Sequence, residues 1–285
     1  MRFNLLRLLP PLVCAMGLAS CGGGGGSEGG KPSVTNIAAD TVQFGRTMTI
    51  AVSGFELADG AIQLDVGGRC DDLTTASGGT ETLQRFTCKP SDLGALRPRV
   101  LDAEGRELGS LNLNVPAPQV TVRVTQGTRT GTFIMELDPA VARSTVRNFL
   151  DYVNAAFYTN TVFHRVERDL VAQGGRTSSV NGATKPTLFP PIKLQADNGL
   201  KNLKYSLAMA RTAELDSATS QFYINLKDNP EFDFGPENPG YAVFGKVISG
   251  TDVIDEIGKV ELSPTTNPPS IPVPAVVVNF ILQTR

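Results

Sequence analysis

A chain of 285 residues with four Cys, no Trp and a single His is long enough for two domains, and its 41% apolar content can supply a core to each. With 26 Lys and Arg against 28 Asp and Glu the net charge is -2, which argues against nucleic acid as a partner, because neutralising phosphates takes a clear basic excess. The lone histidine, His164, excludes zinc sites built on two or three His ligands and leaves a Ser-His-Asp triad only one candidate base.

Residues 1–20 carry Arg2 and Arg7 without an acid, then an apolar stretch broken by Pro10 and Pro11, then small residues. This reads as a secretory signal peptide, too short and too interrupted for a membrane span. Its end, Leu18-Ala19-Ser20-Cys21, resembles a bacterial lipobox, and that resemblance implies a lipid on Cys21 as the first residue of the mature chain. Gly22 to Gly26, followed by Ser27-Glu28-Gly29-Gly30, open a flexible tether over 21–33 that cannot pack. A lipid and a loose tether describe a soluble body held at a membrane, expected at the periplasmic face of the bacterial envelope. Gly22, where an Asp would indicate the inner membrane, points to the outer one. The signal removes basic residues and no acid, so no polybasic patch is left to help anchor the chain. Cys14 leaves with the signal and Cys21 is acylated, which makes Cys70 and Cys88 a candidate disulfide in an oxidising compartment. Two Cys without a nearby His make no metal site, and a redox pair would be a tight Cys-x-x-Cys.

From 34 to 118 short runs alternate apolar and polar residues between turn signals. Met48, Ile50 and Val52 form one run, Ile62, Leu64 and Val66 another, and Leu111, Leu113 and Val115 a third, while Ala103-Glu104-Gly105 marks a hairpin turn. This spacing predicts a small immunoglobulin-like β-sandwich, read as a spacer or docking module whose partner is unknown. Val115 to Pro118 reads as a stiff joint, since Pro cannot continue a central strand.

Residues 119–285 mix α and β patterns. Val120 to Gln126 and Gly131 to Leu137 predict a hairpin. Val146, Phe149, Leu150 and Val153 place an apolar stripe on a helix over Arg143 to Val153, and Val253, Ile254 and Ile257 do so over Thr251 to Ile257. With the β-like runs between and after them, the pattern predicts a mainly β unit: a closed antiparallel eight-stranded barrel with two helices.

Five motifs in this half occur in a fixed order: Thr161-Val162-Phe163-His164-Arg165-Val166, Ala172-Gln173-Gly174-Gly175, Leu207-Ala208-Met209-Ala210-Arg211-Thr212, Ser217 to Asn225 with Ser220-Gln221-Phe222-Tyr223 inside it, and Gly240 to Val247. In order and spacing they resemble the cyclophilin family of peptidyl-prolyl cis-trans isomerases, especially its bacterial branch, over about residues 119–285. The resemblance implies a cyclophilin-like barrel, proline-containing polypeptides as substrates and no cofactor. It implies Arg165 as the catalytic residue, with Gln173 and Gln221 holding substrate backbone and orienting the Arg. Ala210 and Arg211 match the backbone-binding stretch, and Leu170, Val171, Tyr223 and Phe232 fall at the proline pocket, with Tyr241 where many eukaryotic relatives have His. Leu170 and Val171 replace a usual Phe-Met, Tyr223 replaces Phe, and Glu231 stands where those relatives have Trp, so a smaller, more polar pocket is expected.

Physical need agrees with these residue types. Rotation about an X-Pro amide requires neither nucleophile nor metal, only groups that favour the twisted amide over both planar forms. A permanently charged, rigid guanidinium suits the pyramidal prolyl nitrogen of that state, and glutamine amides supply both donor and acceptor to an extended peptide. The function expected is a lipid-anchored isomerase assisting the folding of exported proteins. A noncatalytic module that binds proline segments as a chaperone or scaffold is the alternative. His164, next to Arg165 on a strand, is expected to point away from it and to be structural. Asp228, Glu231 and Asp233 read as solvated loop charges.

Overall fold

The computed structural model describes residues 31–285 apart from 59, 266 and 268, so the expected signal peptide, Cys21 and most of the tether lie outside the described residues. Among the described residues no helix is long and apolar enough to cross a membrane. The chain divides between Pro116 and Ala117 into two compact units.

The first unit holds β1 (Ser33–Ala39), β2 (Met48–Phe55), β3 (Ile62–Asp65), β4 (Cys70–Thr75), β5 (Leu83–Pro90), β6 (Gly94–Leu96), β7 (Arg99–Asp102), β8 (Glu107–Ser110) and β9 (Leu113–Val115). Alternation along β2 buries Met48, Ile50 and Val52, and Phe86 and Cys88 of β5 join them in the core. The strands form three antiparallel ladders, β1-β2-β5-β4, β3-β7-β8 and β6-β9, rather than the two sheets of the expected immunoglobulin-like sandwich. β6 opens on Gly94, at φ +85°, is followed by Pro98, and pairs with β9. Leu111, expected in a strand with Leu113, instead donates its N–H to the carbonyl of Pro98. The turn at Ala103 to Gly105 joins β7 to β8, and the buried Asp102 carboxylate organises it by accepting the N–H groups of Glu104 and Arg106.

Cys70 on β4 and Cys88 on β5 are joined as a disulfide across a sequence separation of 18, with Cα atoms 5.4 Å apart. A loop of that length restricts the unfolded chain by roughly 3 kcal/mol in the chain-entropy treatment. Urea unfolding of oxidised and reduced protein is expected to separate by about that amount. Coincident curves, or two freely alkylatable thiols in folded protein from an oxidising compartment, would contradict it.

The second unit contains β10 (Gln119–Gln126), β11 (Arg129–Leu137), α1 (Arg143–Asn154), β12 (Thr161–Phe163), β13 (Arg165–Glu167), β14 (Val171–Gly174), β15 (Thr177–Ser178), β16 (Ser206–Met209), β17 (Phe222–Asn225), a 3-10 turn (Pro230–Phe232), β18 (Val243–Ser249), α2 (Thr251–Gly258) and β19 (Val276–Gln283). The strands form one curled antiparallel sheet in the order β13-β14-β17-β16-β18-β11-β10-β19-β12-β15. The expected closed ring of eight is therefore a ladder of ten segments with two ends. Two long strands are each interrupted: His164 separates β12 from β13, and Gly175-Arg176 separates β14 from β15, so each part pairs with a different neighbour.

The predicted stripe of α1 is buried as Val146, Phe149, Leu150 and Val153. Phe149 anchors the core, its ring 5.2–5.4 Å from those of Tyr158, Phe222 and Phe244. Phe222 thus packs under the helix, and because strand residues alternate, Tyr223 beside it faces the other side of the sheet.

Candidate active site

Strand register lines up the site. Arg165 pairs with Gln173 across β13 and β14, Gln173 with Tyr223 across β14 and β17, Tyr223 with Ala208 across β17 and β16, and Ala208 with Val243 across β16 and β18. Directly opposed residues share a face, so one transverse row runs from a guanidinium through an amide to an apolar floor. Val171, two residues before Gln173, stands on the same face and opposes Glu167.

At the polar end, Arg165 Nη1 donates to Gln173 Oε1 (2.9 Å), and Gln173 Nε2 donates to Gln221 Oε1 (3.1 Å). The three residues expected to act together form one hydrogen-bonded chain. Glu167, which the sequence reading passed over, accepts from Arg165 Nε (3.0 Å) and Nη2 (2.5 Å). A period-two reading of β13 would have found it.

At the apolar end, Val171, Ala208, Tyr223 and Val243 are buried together, with Leu170, Leu200, Ala210, Phe232 and Tyr241 packed around them half-buried. Tyr223, Phe232 and Tyr241 meet edge to face in a triangle, with ring centroids 5.3–6.0 Å apart. The Tyr223 hydroxyl donates to Asn202 Oδ1 (2.9 Å) within the protein. Its pKa lies well above the usual tyrosine value because of burial, with Tyr241 and Asp233 adding to the rise, so it stays a donor. The polarity expected from Tyr in place of Phe is therefore absorbed internally. Asn202 in turn is held by Asp233, which accepts from its backbone N–H (2.7 Å) and from Nδ2 (3.1 Å). Asp228 accepts the N–H of Lys204 (2.8 Å). The structure corrects the reading of Asp233 as a solvated loop charge, since it braces the segment behind Tyr223, whereas Asp228 and Glu231 are exposed as expected. No local pattern signals Asn202, which lies 21 residues from its partner.

Ala210 and Arg211 continue from β16, and the Ala210 N–H donates to the carbonyl of Gln221 (3.0 Å). The Arg211 guanidinium lies 4.8 Å from the Tyr241 ring centroid and donates from Nη2 to the carbonyl of Gly240 (3.0 Å). Gly240 adopts φ +65°, and a Cβ there would come within 2.5 Å of the Phe234 nitrogen, so this turn requires glycine. Gly175, at φ +95°, has the same need: a Cβ would meet the Ser220 carbonyl at 2.5 Å. Gly175 thus lets the strand that carries Gln173 pass beside the segment that carries Gln221.

His164 sits at the break between β12 and β13, its Nδ1 buried without a hydrogen-bond partner among the described residues. Burial pushes its pKa down to about 4, with the nearby Arg176 charge adding to the effect, so the imidazole is neutral at pH 7.

The second unit is thus a mainly β fold that carries a braced guanidinium beside an apolar, aromatic-walled cluster. The family model "Cyclophilin type peptidyl-prolyl cis-trans isomerase/CLD" matches residues 121–278, and the chain belongs to that family. It is 45% identical over 160 residues to peptidyl-prolyl cis-trans isomerase A of Dickeya dadantii (strain 3937), an alignment covering 55% of this chain and 83% of the relative. It is 44% identical over 137 residues to peptidyl-prolyl cis-trans isomerase B of Escherichia coli (strain K12), covering 47% and 82%. The crystal structure of a Cryptosporidium parvum cyclophilin type peptidyl-prolyl cis-trans isomerase aligns with a TM-score of 0.50 at 20% identity, covering 59% of this chain and 98% of the other, and it shares the fold. The second unit is accordingly a cyclophilin-type peptidyl-prolyl cis-trans isomerase domain with bacterial relatives.

Proposed function

We propose that this chain isomerises X-Pro bonds in exported polypeptides while held by a lipid on Cys21 to the bacterial envelope, at the periplasmic face of the outer membrane, with Arg165 as its catalytic group. The observation that carries the catalytic part is that Arg165 and Gln173 stand in one sheet row with Tyr223, and that Gln221 joins them through its hydrogen bond to Gln173. The proline ring rests on Tyr223, Phe232, Leu170, Val171 and Tyr241, and flanking backbone meets Gln173, Gln221 and the Ala210-Arg211 segment. As the amide twists, conjugation is lost and the prolyl nitrogen gains a lone pair that accepts an N–H of Arg165. Planar cis and trans amides offer that acceptor much less, so the interaction lowers the barrier of about 18–20 kcal/mol rather than either ground state. The test is prolyl exchange measured by NMR on wild type and Arg165→Ala, and an unchanged rate in the variant would remove Arg165 from this role.

The anchoring part rests on Leu18 to Cys21 and the glycines behind them. Cys21→Ser is expected to leave the precursor unprocessed or to release the protein from sedimented membranes. Normal cleavage with unchanged membrane partition would refute it. The first unit is proposed as a spacer or docking module that carries the isomerase away from the membrane.

A further inference from the structure

We propose that Glu167 is a positioning residue for isomerisation: it locks the Arg165 guanidinium so that its remaining N–H groups face the twisting amide. The inference rests on the catalytic reading of Arg165 given above. A guanidinium has five N–H donors in a fixed plane. Glu167 Oε1 takes the one on Nε and one on Nη2, and Gln173 Oε1 takes one on Nη1. Among the described residues, one N–H on Nη1 and one on Nη2 are left for substrate. The three occupied donors fix both the plane of the group and its rotation about the side-chain axis, which Gln173 alone, holding a single N–H, does not.

The arrangement has a structural cause. Arg165 and Glu167 are two residues apart on β13 and share a face, and the strand itself is secured: Val166 between them donates its N–H to the carbonyl of Ser270 (2.7 Å). Both charges are therefore presented from a fixed backbone.

A carboxylate next to the catalytic cation has two opposed effects. It restrains a flexible side chain, and it weakens the cation as a donor. Arg165 and Glu167 side chains are 42% and 27% exposed, so solvent screens the second effect, whereas the geometric restraint is not screened. Positioning is the larger effect, and removing the carboxylate should slow the reaction rather than speed it.

The experiment measures kcat and KM for a Pro peptide by NMR exchange on the whole chain, with Glu167→Leu, Glu167→Gln, Arg165→Ala and the double variant Arg165→Ala/Glu167→Leu. Thermal unfolding establishes that each variant is folded. Glu167→Leu is expected to lower kcat about tenfold with KM within about twofold. Glu167→Gln keeps an acceptor oxygen at the same reach and is expected to recover most of the rate; if the Leu variant does not fold, Glu167→Ala, which likewise lacks the acceptor, is read in its place against Glu167→Gln and is expected to show the same loss of kcat. In the Arg165→Ala background, Glu167→Leu is expected to cost nothing further, because the guanidinium it positions is gone. A rate unchanged or raised in both Glu167 variants, a loss confined to KM, or an equal further loss without Arg165 would each overturn the proposal. Failure of the catalytic reading is separately visible, since Arg165→Ala alone would then keep the wild-type rate, and the positioning role would fall with it.

Discussion

Arg165→Ala is expected to lower kcat by on the order of a hundredfold, about 3 kcal/mol of barrier, while affinity for a Pro peptide changes by less than about threefold. The asymmetry follows from where the group acts. Arg165 lies at the polar end of the row, separated from Tyr223 by Gln173, so its removal leaves the apolar floor intact. On the proposed mechanism, what is lost is a donor to the prolyl nitrogen, a partner that exists as a good acceptor only when the amide is twisted. Arg165→Lys is expected to recover little of the rate, because an ammonium supplies neither the planar fork nor the simultaneous contacts to Gln173 and Glu167. Parallel loss of affinity and rate in the Ala variant would make Arg165 a binding residue instead.

Tyr223→Ala should act on different quantities. Tyr223 is 4% exposed, forms two sides of the aromatic triangle and donates its hydroxyl to Asn202. Truncating a buried aromatic of this size costs about 3–5 kcal/mol of stability. On the proposed mechanism it also removes the floor under the proline ring, so ground-state and transition-state binding should weaken together: KM rises severalfold or more, and kcat measured at saturation falls much less than in Arg165→Ala. Tyr223→Phe separates the two roles. The ring stays, so binding is expected to be near wild type, while the lost hydrogen bond to Asn202 costs on the order of 1 kcal/mol. Denaturant unfolding and peptide titration read both variants. A Tyr223→Ala protein with unimpaired peptide affinity would place the proline elsewhere.

These two substitutions also mark where reading along the chain succeeds and where it stops. The helix over Arg143 to Val153 was legible because its apolar stripe has a local period, and the structure extends it only to Asn154. The same holds for α2 and for β2, where alternation of Met48, Ile50 and Val52 alone dictates which side faces the core. The motifs around Arg165, Gln173 and Gln221 were legible as a set because residue type and order carry them, and with them the family. Strand pairing was not. Which segments become neighbours depends on contacts between residues far apart in sequence, so the breaks at His164 and at Gly175-Arg176 that yield ten ladder segments, and the three ladders of the first unit, left no local signature. The bracing of Tyr223 by Asn202, and of Asn202 by Asp233, likewise depends on chain return and not on spacing. Residue chemistry and short-range periodicity determined what this protein is made of and what kind of site it carries. Only the sheet register decided that a guanidinium, an amide and an aromatic floor stand in one row, because register is a property of paired strands and belongs to no single segment.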